Sequence, residues 1–322
     1  MPPCADPRFR GVTQFNTNGV SNYNGLVVSF KQQIVHWGTG QFELNYTYGH
    51  AFDEVSNGGV LPFTSGSSIY PQDPNHLRGS YGPAEYDVRH SLNAKYVWEL
   101  PLKTALGGHG PSYLVDGWQI SGTIFARTGF PYTVFDLAEA SSLNGNNFFG
   151  TIYAVPVGPL PSPLPCGKGA AVPSAPHPCL PPQLQNDNIT PDPGALFLQS
   201  GCETGFNTGN LPGPAGPCSG PAISYAQGRN HFRGPSYFNT DFAIMKNTKI
   251  PGWETASLGI GLQFFNFFNH PNFGFPDNWS SDPATSYGRI FYLQQPPTGL
   301  LGAGFGGDIS PRMIQVKVQL QF

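Results

Sequence analysis

The chain has 322 residues, a net charge of −3 and only 11 % charged residues, against roughly 25 % in an ordinary soluble domain. Arg and Lys are scattered singly, which excludes a nucleic-acid footprint and a basic membrane-surface helix. Aromatics reach 14 %, and Gly (41) and Pro (34) make up nearly a quarter of the chain, which points to a loop-rich β-protein and, through the aromatics, away from wholesale disorder.

No run of about 18 apolar residues is present, so no transmembrane helix is expected. The start, Met1-Pro2-Pro3-Cys4-Ala5-Asp6, lacks the charged and then apolar pattern of a signal peptide. Period-two alternation, the mark of a strand with one face in an apolar medium and one in water, recurs instead.

In chain order, Tyr23–Gln33 sets Leu26, Val28 and Phe30 opposite Ser29 and Lys31. Phe42, Leu44, Tyr46 and Tyr48 alternate with Glu43, Asn45 and Thr47. Leu92, Ala94, Tyr96, Trp98 and Leu100 alternate with Ser91, Asn93, Lys95 and Glu99. Trp118, Ile120, Ile124 and Ala126 alternate with Gln119, Ser121, Thr123 and Arg127. In Tyr237–Thr248, Phe238, Phe242 and Ile244 oppose Asn239 and Asp241. Ala256–Phe268 carries Leu258, Ile260, Leu262 and Phe264 on one face, and Met313–Phe322 carries Ile314, Val316, Val318, Leu320 and Phe322.

These are about seven strands of roughly ten residues, longer than the five or six of soluble strands and suited to the nine to eleven that a membrane crossing needs. The connections alternate in length. His36–Gly40, Pro101–Leu114 and Pro251–Thr255 are short; Asp53–Pro83, Thr128–Arg233 and His270–Pro311 are long. That asymmetry is the one between periplasmic turns and extracellular loops in outer-membrane barrels. The expected fold is therefore all-β: an antiparallel transmembrane β-barrel fragment with about seven meander strands in an open, curved sheet. An odd count does not close a single-chain bacterial barrel, so residues 1–322 are expected to form one partial barrel domain, with no plug and no signal peptide, as the back end of something larger.

Several stretches carry a family resemblance: Asn22-Tyr23-Asn24-Gly25-Leu26, Tyr86-Asp87-Val88-Arg89-His90-Ser91, Asp116-Gly117-Trp118-Gln119-Ile120-Ser121-Gly122, Arg233-Gly234-Pro235, Asn239-Thr240-Asp241, and Phe264 through Asn269-His270-Pro271-Asn272-Phe273-Gly274. Together they resemble the C-terminal barrel of Oar-like TonB-dependent receptors, from about Phe15 to Phe322. The resemblance implies a 22-stranded barrel with an N-terminal plug, ligand uptake coupled to TonB through parts absent from this chain, outer-membrane lipid around the wall, and a terminal aromatic, Phe322, read by the barrel-assembly machinery.

Candidate sites are few. Cys166, Cys179, Cys202 and Cys218 fall in the long external connection at about 128–233, where an oxidising surface setting favours disulfides. Spacing suggests Cys166–Cys179 and Cys202–Cys218, one of three possible pairings. No Cys-x-x-Cys spacing points to zinc. Tyr86, Asp87, Arg89 and His90 sit where an external loop enters a strand, and read as a catalytic or ligand-binding cluster or, better, as a rim network of paired charges that fixes the strand, since no nucleophile stands beside His90. Neither an enzyme nor a cofactor is expected. The alternatives to an uptake receptor are a structural or adhesive barrel that anchors its loops, and a secreted soluble β-sandwich.

Overall fold

The computed structural model describes residues 17–56, 76–135, 153–154, 227–250, 252–253, 256–274, 278, 290, 293 and 311–322. Among these residues, seven long strands form a continuous meander: β1 (Ser21–Ile34), β2 (Thr39–Asp53), β4 (His90–Glu99), β5 (Trp118–Arg127), β8 (Tyr237–Lys249), β9 (Ser257–Phe265) and β10 (Met313–Gln321). Each pairs antiparallel with its neighbour in that order. A two-residue strand, β3 (Gly82–Pro83), adds to the end of β2, and β6 (Pro131–Tyr132) pairs with β7 (Phe232–Arg233) in a small second sheet. Two one-turn helices, α1 (Leu102–Ala105) and α2 (Ser112–Val115), lie between β4 and β5. The long strands have 9 to 15 residues, enough to cross a bilayer when tilted.

The register explains the alternation. Val28, Tyr46, Leu92, Ala126 and Phe238 stand side by side across five strands. Nearer the short connections, Trp98, Ile120, Ile244, Leu262 and Val316 form a second apolar row. The intervening row on the other face is Lys31, Glu43, Lys95, Thr123 and Asp241. Because side chains alternate with period two, a slip of one residue anywhere would mix these rows.

The face that carries this charged row is the hollow one, with a groove of 390 Å³ lined by Glu43, Lys95, Thr123 and Asp241 and by the apolar Val97, Ala243 and Phe265. The apolar face is bare: Leu26, Ile314, Val316 and Val318 are more than half exposed. In water so broad an apolar surface would drive association; in lipid it is the favourable outer wall of a barrel. Among the described residues, β1 pairs only with β2 and β10 only with β9, so the sheet is open.

The expected strand Ala256–Phe268 is shorter than its apolar run. It stops at Phe265 because Asn266 takes a positive φ of 48°, which turns the chain out of the ladder. Asn266 then fastens the turn itself: its side chain accepts from the His270 amide at 2.9 Å and donates to the His270 carbonyl at 3.0 Å. Termination therefore comes four residues before His270-Pro271, and the aromatic run Phe267-Phe268 packs in a turn, with rings 5.2 Å apart.

Candidate functional site

Burial is concentrated at the end of the sheet where the long connections lie. There the segment after β2, the segment around β3, the start of the β5–β8 connection and the return through Gln227–Arg233 fold into a compact cap. Its core is Ala84, Phe130, Tyr132, Val134, Phe135, Tyr153, Ala154 and Phe232, each at most 4 % exposed. Tyr132 packs on Phe232, with ring centroids 5.7 Å apart, and Phe135 on Tyr153, at 5.9 Å.

Asp87 ties β2, β7 and the entrance to β4 together at this end. One oxygen of its carboxylate accepts from the Ala51 amide in β2 at 2.7 Å and lies 3.2 Å from the His50 ring. The other meets the Arg233 guanidinium of β7 and the Arg89 Nε, the latter at 3.3 Å. Arg233 also donates to the Asp87 carbonyl at 3.0 Å and to the Gly129 carbonyl at 3.2 Å. Burial works against the Asp87 charge, but the Arg233 and Ala51 donors outweigh it and hold the carboxyl below its ordinary value. Arg233 itself is pulled below the usual guanidinium range by burial, against the Asp87 charge that keeps it protonated.

A second buried pair joins Arg229 to Asp53, with side chains 1 % and 5 % exposed. Arg229 also donates to the Asp53 carbonyl at 2.7 Å and to the Ser56 hydroxyl. Next to it, Asn230 takes a positive φ of 55°, donates its backbone amide to the Thr133 hydroxyl oxygen at 2.7 Å and its side-chain amide to the Pro83 carbonyl at 2.7 Å. Gln227 acts as a substitute strand: it accepts from the Val134 amide at 2.8 Å and donates to the Val134 and Ala154 carbonyls, both at 2.9 Å. Asn278, from the β9–β10 connection, donates to the Thr133 carbonyl at 2.6 Å. Gly129 lets these segments close on the sheet, since a Cβ there would sit 1.9 Å from the Gly234 carbonyl oxygen. Burial pushes the Tyr132 hydroxyl upward, so it stays neutral inside the cap.

The four rim residues singled out in the sequence divide. Asp87 and Arg89 meet directly. Tyr86 is 40 % exposed, its hydroxyl against the Asp53 carboxylate and shifted upward chiefly by burial. His90 faces the other way: it pairs with Tyr48 in the apolar row, and its Nδ1 lies 2.8 Å from the Tyr46 hydroxyl. Arg233, Arg229, Asp53 and Gln227 complete the cluster and were not singled out by sequence. Arg233-Gly234-Pro235 stood out only as a motif. Cys4, Cys166, Cys179, Cys202 and Cys218 lie outside the described residues. Phe322, 85 % exposed, follows directly on the outer strand β10.

Below the cap, Arg127 closes the polar face, its guanidinium 3.9 Å from the Phe130 ring centroid and 5.5 Å from that of Tyr237. Further down, Glu43 is shared by Lys95 at 3.1 Å and Lys31 at 3.6 Å. Asp241 is held by neutral donors: the Asn239 amide at 3.0 Å, the Asn266 backbone N–H at 3.0 Å and the Thr123 hydroxyl at 3.3 Å. Among the described residues, no group of three or more His, Cys, Asp or Glu side chains is placed to hold a metal ion. The arrangement at the cap joins loops by charge; the arrangement on the hollow face offers hydrogen-bonding groups along a groove.

No curated protein and no solved structure gives a match to the chain. A family profile described as an outer membrane beta barrel domain matches residues 2–315, nearly the whole length. The open meander with its bare apolar wall is thus a piece of barrel located in the outer membrane, and the chain belongs to the outer membrane beta barrel domain family.

Proposed function

We propose that this chain forms part of the wall and external mouth of an Oar-like, TonB-dependent uptake receptor, and that it acts by binding and passage of a ligand and not by catalysis. The observation that carries this reading is a groove on the inner face, lined by charged and by apolar side chains, below a cap that, among the described residues, stands at one end on buried guanidinium–carboxylate pairs. A barrel that merely anchors loops has no need of a groove below its mouth. The sequence resemblance supplies the finer part: Asn269-His270-Pro271-Asn272-Phe273-Gly274 and Tyr86-Asp87-Val88-Arg89-His90 match the receptor pattern.

On this reading, further strands close the sheet at β1 and β10, because unpaired strand edges are costly in lipid. A plug and a TonB-contacting segment belong to the same assembly. Phe322 serves the barrel-assembly machinery, and the loop cysteines form surface disulfides. No cofactor and no nucleic acid takes part.

The test uses native outer membranes solubilised in mild detergent and passed over the immobilised periplasmic domain of TonB. The assembly that contains this chain should be retained, and the same assembly with the receptor's TonB-contacting segment deleted should not. Passage of the native assembly without retention would overturn the uptake reading and leave an anchoring barrel.

A further inference from the structure

We propose that the β4–β5 connection is a membrane-interface foot: its two short helices lie in the phospholipid headgroup layer of the inner leaflet, with Lys103 and Lys246 toward lipid phosphates. The inference goes beyond uptake and rests only on the barrel wall facing lipid.

Three side chains on the outer face aim at the connections of the short end. Trp98 Nε1 donates to the Trp37 carbonyl at 2.6 Å, and Trp118 Nε1 donates to the Leu114 carbonyl at 2.7 Å. Lys246, beside Trp118 in the register, donates through Nζ to the Asp116 carbonyl, and its ammonium stands 5.9 Å from the Trp118 ring centroid. Indole and ammonium groups at the end of an apolar wall mark the level where hydrocarbon gives way to headgroups.

The helical connection is bound at that level, not hung beneath it. Because the lipid-facing Trp118 holds the Leu114 carbonyl, α2 ends against the outer face of the strand ends. The Gly107-Gly108-His109-Gly110 run, with positive φ at all three glycines, folds the segment after α1 back toward α2. The Lys103 ammonium bonds the Ser112 hydroxyl at 2.7 Å and pairs with Asp116 at 3.7 Å, which closes the hairpin.

This hairpin leaves Leu106, Tyr113 and Leu114 55 %, 66 % and 56 % exposed. Trp37 and Trp253 of the two tight turns at the same end are also largely bare. A turn that hung in the aqueous periplasm would gain nothing from such side chains. A turn that lies on the leaflet buries them in the acyl–headgroup boundary, in continuity with the apolar wall above. The exposed Lys103 and the snorkelling Lys246 complement an anionic phosphate.

The test places the photoreactive residue of Tyr113→p-benzoylphenylalanine in the full gene product in native outer membranes. Irradiation should give an adduct with the mass of a phospholipid. Adducts to periplasmic protein alone, or none with lipid while the same probe at the wall position Val316 gives them, would overturn the proposal. A second measurement compares Leu106→Asn/Leu114→Asn with the unaltered protein in phosphatidylethanolamine–phosphatidylglycerol vesicles and in neutral detergent. The double variant should lose the extra thermal stability that vesicles confer and match the unaltered protein in detergent; an equal loss in both media would mean that the foot is only a structural turn.

Discussion

The Arg233 guanidinium and the Asp87 carboxylate, 146 positions apart, meet in a buried ion pair that closes the cap on the sheet. Asp87 is 1 % exposed and its other oxygen takes the Ala51 amide, so the pair also fixes the end of β2. Removal of one partner of a buried pair leaves an uncompensated charge, which costs about 3 kcal/mol or somewhat more.

Asp87→Asn keeps the shape and an acceptor for Ala51 but strands Arg233. Hydrogen exchange of the Ala51, Gly234 and Phe135 amides should accelerate about 100-fold, the ratio that about 3 kcal/mol implies. Exchange in the middle of β5 and β8 should not change, since those strands are held by their ladders. Unaltered cap protection would show that the apolar core of Tyr132, Phe232 and Phe135 holds the cap without the pair.

The same carboxylate gives the cap an acid limit. Asp87 is held below its ordinary value of 3.8. A depressed carboxyl contributes stability that is complete above the ordinary value and is lost as the pH falls through the depressed one. The near-ultraviolet circular dichroism of the cap tyrosines should therefore stay constant from neutral pH down to about 4 and diminish below it. In Asp87→Asn the cap should begin weaker and lack this step. A step of equal size in the variant would assign the acid sensitivity to other carboxylates.

Glu43 has two lysine partners yet should matter far less. Lys31 and Lys95 are 65 % and 60 % exposed, and exposed pairs lose to water and side-chain entropy most of what they gain. Glu43→Gln should leave the thermal unfolding midpoint in detergent near that of the unaltered protein, whereas Asp87→Asn lowers it. A drop for Glu43→Gln as large as that for Asp87→Asn would mean that the closed barrel dries the polar face far more than the open sheet does.

The contrast between these two clusters marks what the sequence could express. Period-two alternation reports only which medium each face meets, and that was enough for every long strand from Leu26 to Leu320. Loop lengths gave direction. The cap was different, because its partners are joined by contacts across the chain: Arg229 to Asp53, Gln227 to Val134, Arg233 to Asp87. No local period announces such a meeting. Asp87 drew notice as a charge at a strand entrance, while His90, in the same short motif, is the first residue of β4 and faces outward among Tyr46 and Tyr48.

At Asn266 the local signal is the residue itself, not the apolar run around it. The apolar run suggested a strand through Phe268, yet Asn tolerates a left-handed backbone that Phe and Leu resist. At φ 48° an alanine would carry about 1 kcal/mol of strain, and loss of the two side-chain bonds to His270 adds about 1 kcal/mol each at most. Asn266→Gly relieves the strain but not the lost bonds. Asn266→Ala should therefore lower stability by up to about 3 kcal/mol and Asn266→Gly by less, measured by urea unfolding of the assembled protein in detergent. If Ala and Gly were equally disruptive, the side-chain bonds alone would hold the turn and the backbone conformation would carry no cost.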